Sequence, residues 1–217
     1  MPIRRVKIFN GFERFWHWTQ MLLIFVLLFS GFRIYGVYDL ISFESAVYIH
    51  TLSALSLIVL WIFAVFWHLT TGAWRHYVPS TQGLFKVIRF YAWGVFKGEQ
   101  HPYRKHFWRK HNPLQALSYL GLKLFLFPAI WLSGLAYLSY NYWQQGVSSP
   151  LLGWVVMVHV IAAFAILAFV IIHVYMLTIG DSFKHHLMPM INGYDEIELT
   201  EAEERYFEQD EPSRIKE

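Results

Sequence analysis

Four stretches of this chain are too apolar and too long to fold away inside a globule of 217 residues. They run at about 15–38, 44–71, 113–141 and 151–179. A bilayer's hydrocarbon layer takes roughly 20 helical residues to cross. Each stretch exceeds that, and the last three exceed it by enough to tilt or protrude. The expected fold is all-α, an integral membrane bundle of four helices. Composition agrees: 56% of residues are hydrophobic and 15% charged, against about 25% charged in an ordinary soluble domain. The length suits one domain, so residues 1–180 read as a transmembrane domain and residues 181–217 as an appended tail.

Charge between the stretches sets their direction. The N-terminal segment carries Arg4, Arg5, Lys7 and Arg14. The connection 72–112 carries Arg75, Lys86, Arg89, Lys97, Arg104, Lys105, Arg109 and Lys110. The connection around 39–44 has no Lys or Arg, and that around 142–150 has no charge. Basic loops stay on the cytoplasmic side, so both ends of the chain and the middle connection are expected there. No small-residue cleavage site follows the first apolar run, so the first helix is expected to stay in the mature protein.

Two regions outside the spans have character of their own. Leu84 to Tyr91 mixes apolar and basic residues at helical spacing, as expected of a helix lying in the membrane interface. The tail from Asp181 holds eleven of the fifteen acidic residues and no long apolar run. It reads as solvated and partly disordered. The ten tryptophans read mostly as interfacial belts. No repeat, Gly-rich phosphate loop or nucleic-acid motif stands out.

The chain has no cysteine. That excludes disulfides, iron–sulfur clusters, thiolate zinc sites and thioether-attached haem. Histidines remain as metal ligands, and five fall within the spans: His17, His50, His68, His159 and His173. An ionisable residue at membrane depth is costly and points to function. His159 and His173 are fourteen residues apart, nearly four whole turns, so they share a helix face and stand ~21 Å apart along the axis. Each requires a partner at its own depth. His50, near the outer start of the second span, is level with His159. At the cytoplasmic level, His17 and His68 both suit His173. Two axial imidazoles complete the coordination of a haem iron, which then shuttles electrons and does not bind oxygen. Arg33 and Lys123 are candidate partners for haem propionates. Gly31 and Gly134 suit either close approach of a macrocycle or ordinary small-residue helix packing.

The pieces together resemble the four-helix dihaem cytochrome b superfamily. This group includes the b-type subunit of nickel–iron hydrogenases, formate dehydrogenase gamma and thiosulfate reductase cytochrome b. The resemblance rests on Arg14-Phe15-Trp16-His17-Trp18, His50, Asn112-Pro113-Leu114-Gln115, Ser133-Gly134-Leu135-Ala136-Tyr137, the run from His159 through His173-Val174-Tyr175-Met176, and Asn192-Gly193-Tyr194. It covers nearly the whole chain apart from the acidic tail. His68 and Lys123 depart from the superfamily pattern, as do the very short outer loops.

The resemblance implies two haem b groups in a prokaryotic inner membrane, with His17, His50, His159 and His173 as axial ligands. It thereby selects His17 over His68. It further implies a quinone site on the cytoplasmic side and a redox partner on the periplasmic face, either an enzyme or a multihaem cytochrome subunit. Tyr140, Tyr142 and Trp143 are aromatics available to that partner. For the quinone, Asn112 and Gln115 lie on one helix face and carry amide donors, and His111 can relay a proton. Asn112 and Pro113 also suit a plain helix cap. The expected role is an electron-transfer subunit of a respiratory oxidoreductase. The alternatives are a haem-free anchor and a histidine-relay transporter. A relay would ordinarily add acidic residues deep in the spans, and the sequence places none there.

Overall fold

The computed structural model describes residues 3–103, 110–143, 149–179 and 183–216. Arg104, Lys105 and Arg109 of the basic connection lie outside the described residues, as do residues 144–148 of the uncharged connection and Asp181. The same holds for the Trp143 side chain.

Four helices are long and apolar enough to cross a membrane. They are α1 (Gly11–Ile34), α2 (Phe43–Thr71), a third span over Pro113–Leu138, and α7 (Ser149–Met176). The first begins four residues earlier than the apolar run suggests. Its start is set by polar chemistry, because the Asn10 backbone N–H donates to Glu13 Oε2 at 2.8 Å. Its end follows a Schellman pattern around Gly36, with Gly36 N–H on Arg33 O and Val37 N–H on Phe32 O. Ser42 caps α2, its hydroxyl accepting from Ser45 N–H at 3.0 Å.

The third span is not one uniform helix. It comprises α4 (Pro113–Gly121), a π-helical turn (Leu122–Leu126) and α5 (Phe127–Leu138). Pro128 accounts for the change of pitch, because its nitrogen offers no hydrogen to the preceding turn and its ring crowds it. Lys123 sits on the π turn. A short helix, α6 (Tyr140–Trp143), follows α5. In the middle connection, α3 (Leu84–Ala92) forms where a helix is expected. It buries Val87 and Phe90, while Phe85, Trp93 and Phe96 nearby stay exposed.

Two compact units can be told apart. One comprises Trp18–Trp67 and Gly121–His173. Its core draws on all four spans: Leu57 and Trp61 from α2, Leu122 and Phe127 from the third span, and Ile166 from α7, with Leu23, Ile24 and Leu27 of α1 against them. Trp61 corrects the belt expectation for one tryptophan. It is buried, packs edge-on against Phe127 and Trp131, and donates Nε1–H to Gln20 Oε1 at 3.1 Å.

The other unit comprises Met1–His17, His68–Leu120 and Val174–Glu217. Here the expectation of a partly disordered tail is corrected. Its described residues form α8 (Phe183–Asn192), β2 (Tyr194–Glu198), α9 (Glu201–Gln209) and β3 (Ile215–Lys216). Both strands pair antiparallel with β1 (Ile3–Lys7), in the order β2-β1-β3. The acidic residues have a use: Arg5 stands opposite Glu196, and Arg4 pairs with Glu204 at 3.2 Å. Val6, Ile8, Ile197, Leu199 and Phe207 form the core beneath the sheet. Gly193 makes the turn into β2 at φ 89°, and any Cβ there would lie 2.7 Å from Phe9 O. No residue but glycine meets both conditions.

Candidate functional site

His50 on α2 and His159 on α7 come together within one unit. Their ring centroids are 6.2 Å apart and their planes lie at 66°. A metal–imidazole bond is about 2.0–2.1 Å, and a ring centre lies about 1.2 Å behind its nitrogen, so one ion between two opposed imidazoles separates the centroids by roughly 6.4–6.6 Å, close to the spacing seen. Among the described residues no group of three or more His, Asp or Glu side chains is placed to hold a metal. A pair of imidazoles suits an ion whose remaining ligands come from a macrocycle, and haem iron has that arrangement.

The surroundings of the two rings repeat each other. Ser30 Oγ lies 3.0 Å from His50 Nδ1, and Ser133 Oγ lies 3.1 Å from His159 Nδ1. Each serine is followed by a glycine that the same ring approaches. A Cβ on Gly31 would stand 3.3 Å from His50 Cε1, and one on Gly134 would stand 3.1 Å from His159 Cε1. The glycines thus admit the imidazoles against the backbones of α1 and α5. The neighbour that stands against each glycine is the imidazole of another helix. The residues present fit a bis-imidazole haem.

The two serines escaped the sequence reading as partners of histidine. The signal was the twin Ser-Gly dipeptide, once in the first span and once in the third. A small pair inside a span reads as helix packing until the ring beside it is known.

The remaining candidates are distributed over both units. His17 is half-buried on α1 and belongs to the unit that contains the sheet. His173 closes the other unit, its ring stacked on Phe169 at 5.8 Å. His68 is buried in the sheet-containing unit, edge-on to Trp16 at 5.2 Å and to Tyr77 at 5.1 Å. His111 meets Tyr77 and Tyr119 at 5.0 and 4.9 Å in the same unit. Arg33 is engaged by the loop after α1, with Nε donating to Ile41 O at 2.6 Å and a terminal nitrogen 3.0 Å from Asp39.

Asn112 and Gln115 form a reciprocal helix cap. Gln115 N–H donates to Asn112 Oδ1 at 2.8 Å, and Asn112 N–H donates to Gln115 Oε1 at 3.1 Å. Asn112 Nδ2 also donates to the Tyr91 hydroxyl at 3.3 Å. The capping role is therefore real, and it occupies the amide oxygens. A quinone carbonyl would need the amide nitrogens.

Glu13 and Lys110 form a buried pair that the sequence did not disclose. Lys110 Nζ lies 2.8 and 2.9 Å from the two Glu13 oxygens, with both side chains under 5% exposed. The ammonium also stands over the Phe9 ring at 5.3 Å. Burial pushes the Lys110 pKa below the ordinary lysine range, and the Glu13 carboxylate opposes that push.

Comparison with known proteins agrees with the geometry. Residues 8–193 match the model of a family described as prokaryotic cytochrome b561. The Escherichia coli (strain K12) protein named "Putative cytochrome YdhU" is 29% identical over 198 residues, which cover 88% of this chain and 74% of that protein. With four spans and a matched region reaching from Ile8 to Gly193, the chain belongs to the prokaryotic cytochrome b561 family, multi-pass membrane proteins that carry electrons on haem b.

Proposed function

We propose that this protein carries electrons across a prokaryotic inner membrane on two bis-histidine b haems, between a redox partner on the periplasmic face and the quinone pool. The observation that carries the reading is the meeting of His50 and His159, each against its own Ser-Gly step. Bound haem supplies reversible one-electron chemistry there. His50 and His159 hold the outer group through Nε2, and Gly31 and Gly134 leave room for their rings.

The inner pair is His17 and His173, supported by the fourteen-residue spacing on α7 and by the family's histidine ligation. The basic middle connection supports placing both chain ends on the cytoplasmic side. The exposed Phe85, Trp93 and Phe96 around α3 then face lipid at that surface. A quinone site beside Asn112, Gln115 and His111 would draw protons from the cytoplasmic water. Arg33 and Lys123 are the proposed propionate partners, Arg33 from beside Asp39 and Ile41, and His68 is the alternative to His17 as the inner ligand. On the opposite face, Tyr142 is 91% exposed among short, nearly uncharged connections and is offered to the partner subunit.

A pyridine haemochrome assay on the purified chain tests the core of this reading. It should return about two b haems per chain, both low-spin. His50→Ala or His159→Ala should remove one of them, and His17→Ala or His173→Ala the other. No haem bands would return the chain to a haem-free anchor or a histidine relay. An inner haem lost in His68→Ala and kept in His17→Ala would move that ligand to α2. Asn112→Ala and Gln115→Ala should retain both haems and lower quinone turnover.

A further inference from the structure

We infer that Ser30 and Ser133 are positioning residues that fix the tautomer of the two outer ligands and set the potential of the haem they hold. The inference rests on the haem reading for His50 and His159.

The argument begins with where each hydroxyl hydrogen goes. Ser30 Oγ lies 2.7 Å from Val26 O, four residues back on α1, and 3.3 Å from Leu27 O. Ser133 Oγ lies 2.6 Å from Ala129 O and 3.2 Å from Ile130 O on α5. A hydroxyl has a single hydrogen, and each carbonyl can only accept. The hydrogen is therefore committed to the helix, and the oxygen presents lone pairs to the ring nitrogen beside it. At 3.0 and 3.1 Å, His50 Nδ1 and His159 Nδ1 must be the donors. Both rings consequently carry hydrogen on Nδ1 and keep an unprotonated Nε2, the state an axial ligand requires.

Back-bonding of a serine to its own helix is ordinary. It does not explain why the same oxygen meets an imidazole nitrogen in two separate places, each time with a glycine next in sequence. Ser30 is fully buried and Ser133 nearly so, and the Leu27 and Ile130 carbonyls are the second acceptors beside His50 and His159. An alanine would satisfy the packing equally well. The duplication makes each serine one half of a matched clamp, with one ligand helix held by α1 and the other by α5.

The expected effect follows from ligand basicity. A ring whose Nδ1–H donates to an acceptor is a stronger σ-donor at Nε2 and favours ferric iron. Removing the hydroxyl leaves the ring only the Leu27 or Ile130 carbonyl, which weakens that donation and raises the midpoint potential. Loss of such partners typically lowers metal-site affinity by about 10- to 100-fold.

The test uses the haem-loaded protein in detergent and compares isosteres. Ser30→Thr retains the hydroxyl, and Ser30→Val has the same shape without it. The same pair is made at Ser133. Redox titration followed by optical spectra and low-temperature electron paramagnetic resonance reads the outer haem against the inner one. The Thr variants should keep the wild-type outer potential. The Val variants should shift it upward or lose the outer haem, with the inner haem unchanged. Equal outer potentials in Thr and Val would overturn the inference. If the added methyl empties the site in both, Ser30→Ala and Ser133→Ala decide, because they add no atoms: an outer haem of unshifted potential in both overturns it. A wild-type chain with no outer haem refutes the underlying reading instead, and so the two failures are told apart.

Discussion

The surroundings of His50 and His159 and the sheet-containing unit solve the same problem by opposite means. Around His50 and His159, polar atoms are satisfied without a net charge: serine hydroxyls bond back to their own helices and imidazoles bond to the hydroxyls. In the sheet-containing unit, charge is matched against charge. Lys110 meets Glu13, Arg4 meets Glu204, and a basic strand lies along an acidic one. The difference follows the solvent. Hydrocarbon offers no water to a stray charge, so the spanning region settles its polar groups locally. A region with water at its edge can keep ions, provided that those taken inside are paired.

The comparison breaks most readily at Glu13. Glu13→Gln keeps a capping side chain but leaves Lys110 buried without its carboxylate. Thermal unfolding in detergent should show a loss of about 3–5 kcal/mol. Adding Lys110→Met should recover most of it. A Glu13→Gln protein that melts with the wild type would mean that charge pairing does not hold this unit.

Next is the spanning region, where the sensitive quantity is space. Gly134→Ala places a methyl 3.1 Å from His159 Cε1, against 3.3 Å for Gly31→Ala and His50. Each should cost roughly 1–3 kcal/mol of overpacking, and the Gly134 variant should lose more haem. Haemochrome content of the two proteins ranks them. The reverse order would show that the rings do not press on the helices as described.

Smaller effects belong to the sheet-containing unit. Thr200 and Glu203 form a capping box at the start of α9. Thr200→Ala should cost about 1 kcal/mol, read as faster amide exchange in the first turn of α9 with unchanged haem spectra. Arg4→Ala should cost about 0.2–1 kcal/mol, less in high salt, because its ion pair with Glu204 is partly exposed.

These differences also mark what was legible in the sequence. The spans were, because hydrocarbon imposes length and apolarity on consecutive residues. So was the meeting of His50 and His159, since helix direction sets depth and depth sets neighbours. Ser30 and Ser133 were not, because a hydroxyl that serves a ring on another helix has no local signature. Neither was the sheet. Ile3-Arg4-Arg5-Val6-Lys7 and Tyr194-Asp195-Glu196-Ile197-Glu198 partly alternate and carry opposite charge, but only pairing across 187 positions makes them strands. Read alone, the acidic segment has the composition of a disordered tail. Asn112 and Gln115 stood between a cap and a ligand site, because one side chain chemistry serves both.

The pairing of β1 with β2 has a consequence for how the protein is made. Lys7 faces Tyr194, so the first strand leaves the ribosome long before its neighbour exists. At synthesis rates of about 5–20 residues per second, the wait is roughly 10–40 s. During that time the four spans are inserted and β1 has an open edge on both sides. The sheet therefore closes only after the spans have been delivered. A chain stopped short of Tyr194 would display a bare, positively charged strand with both edges open to pairing.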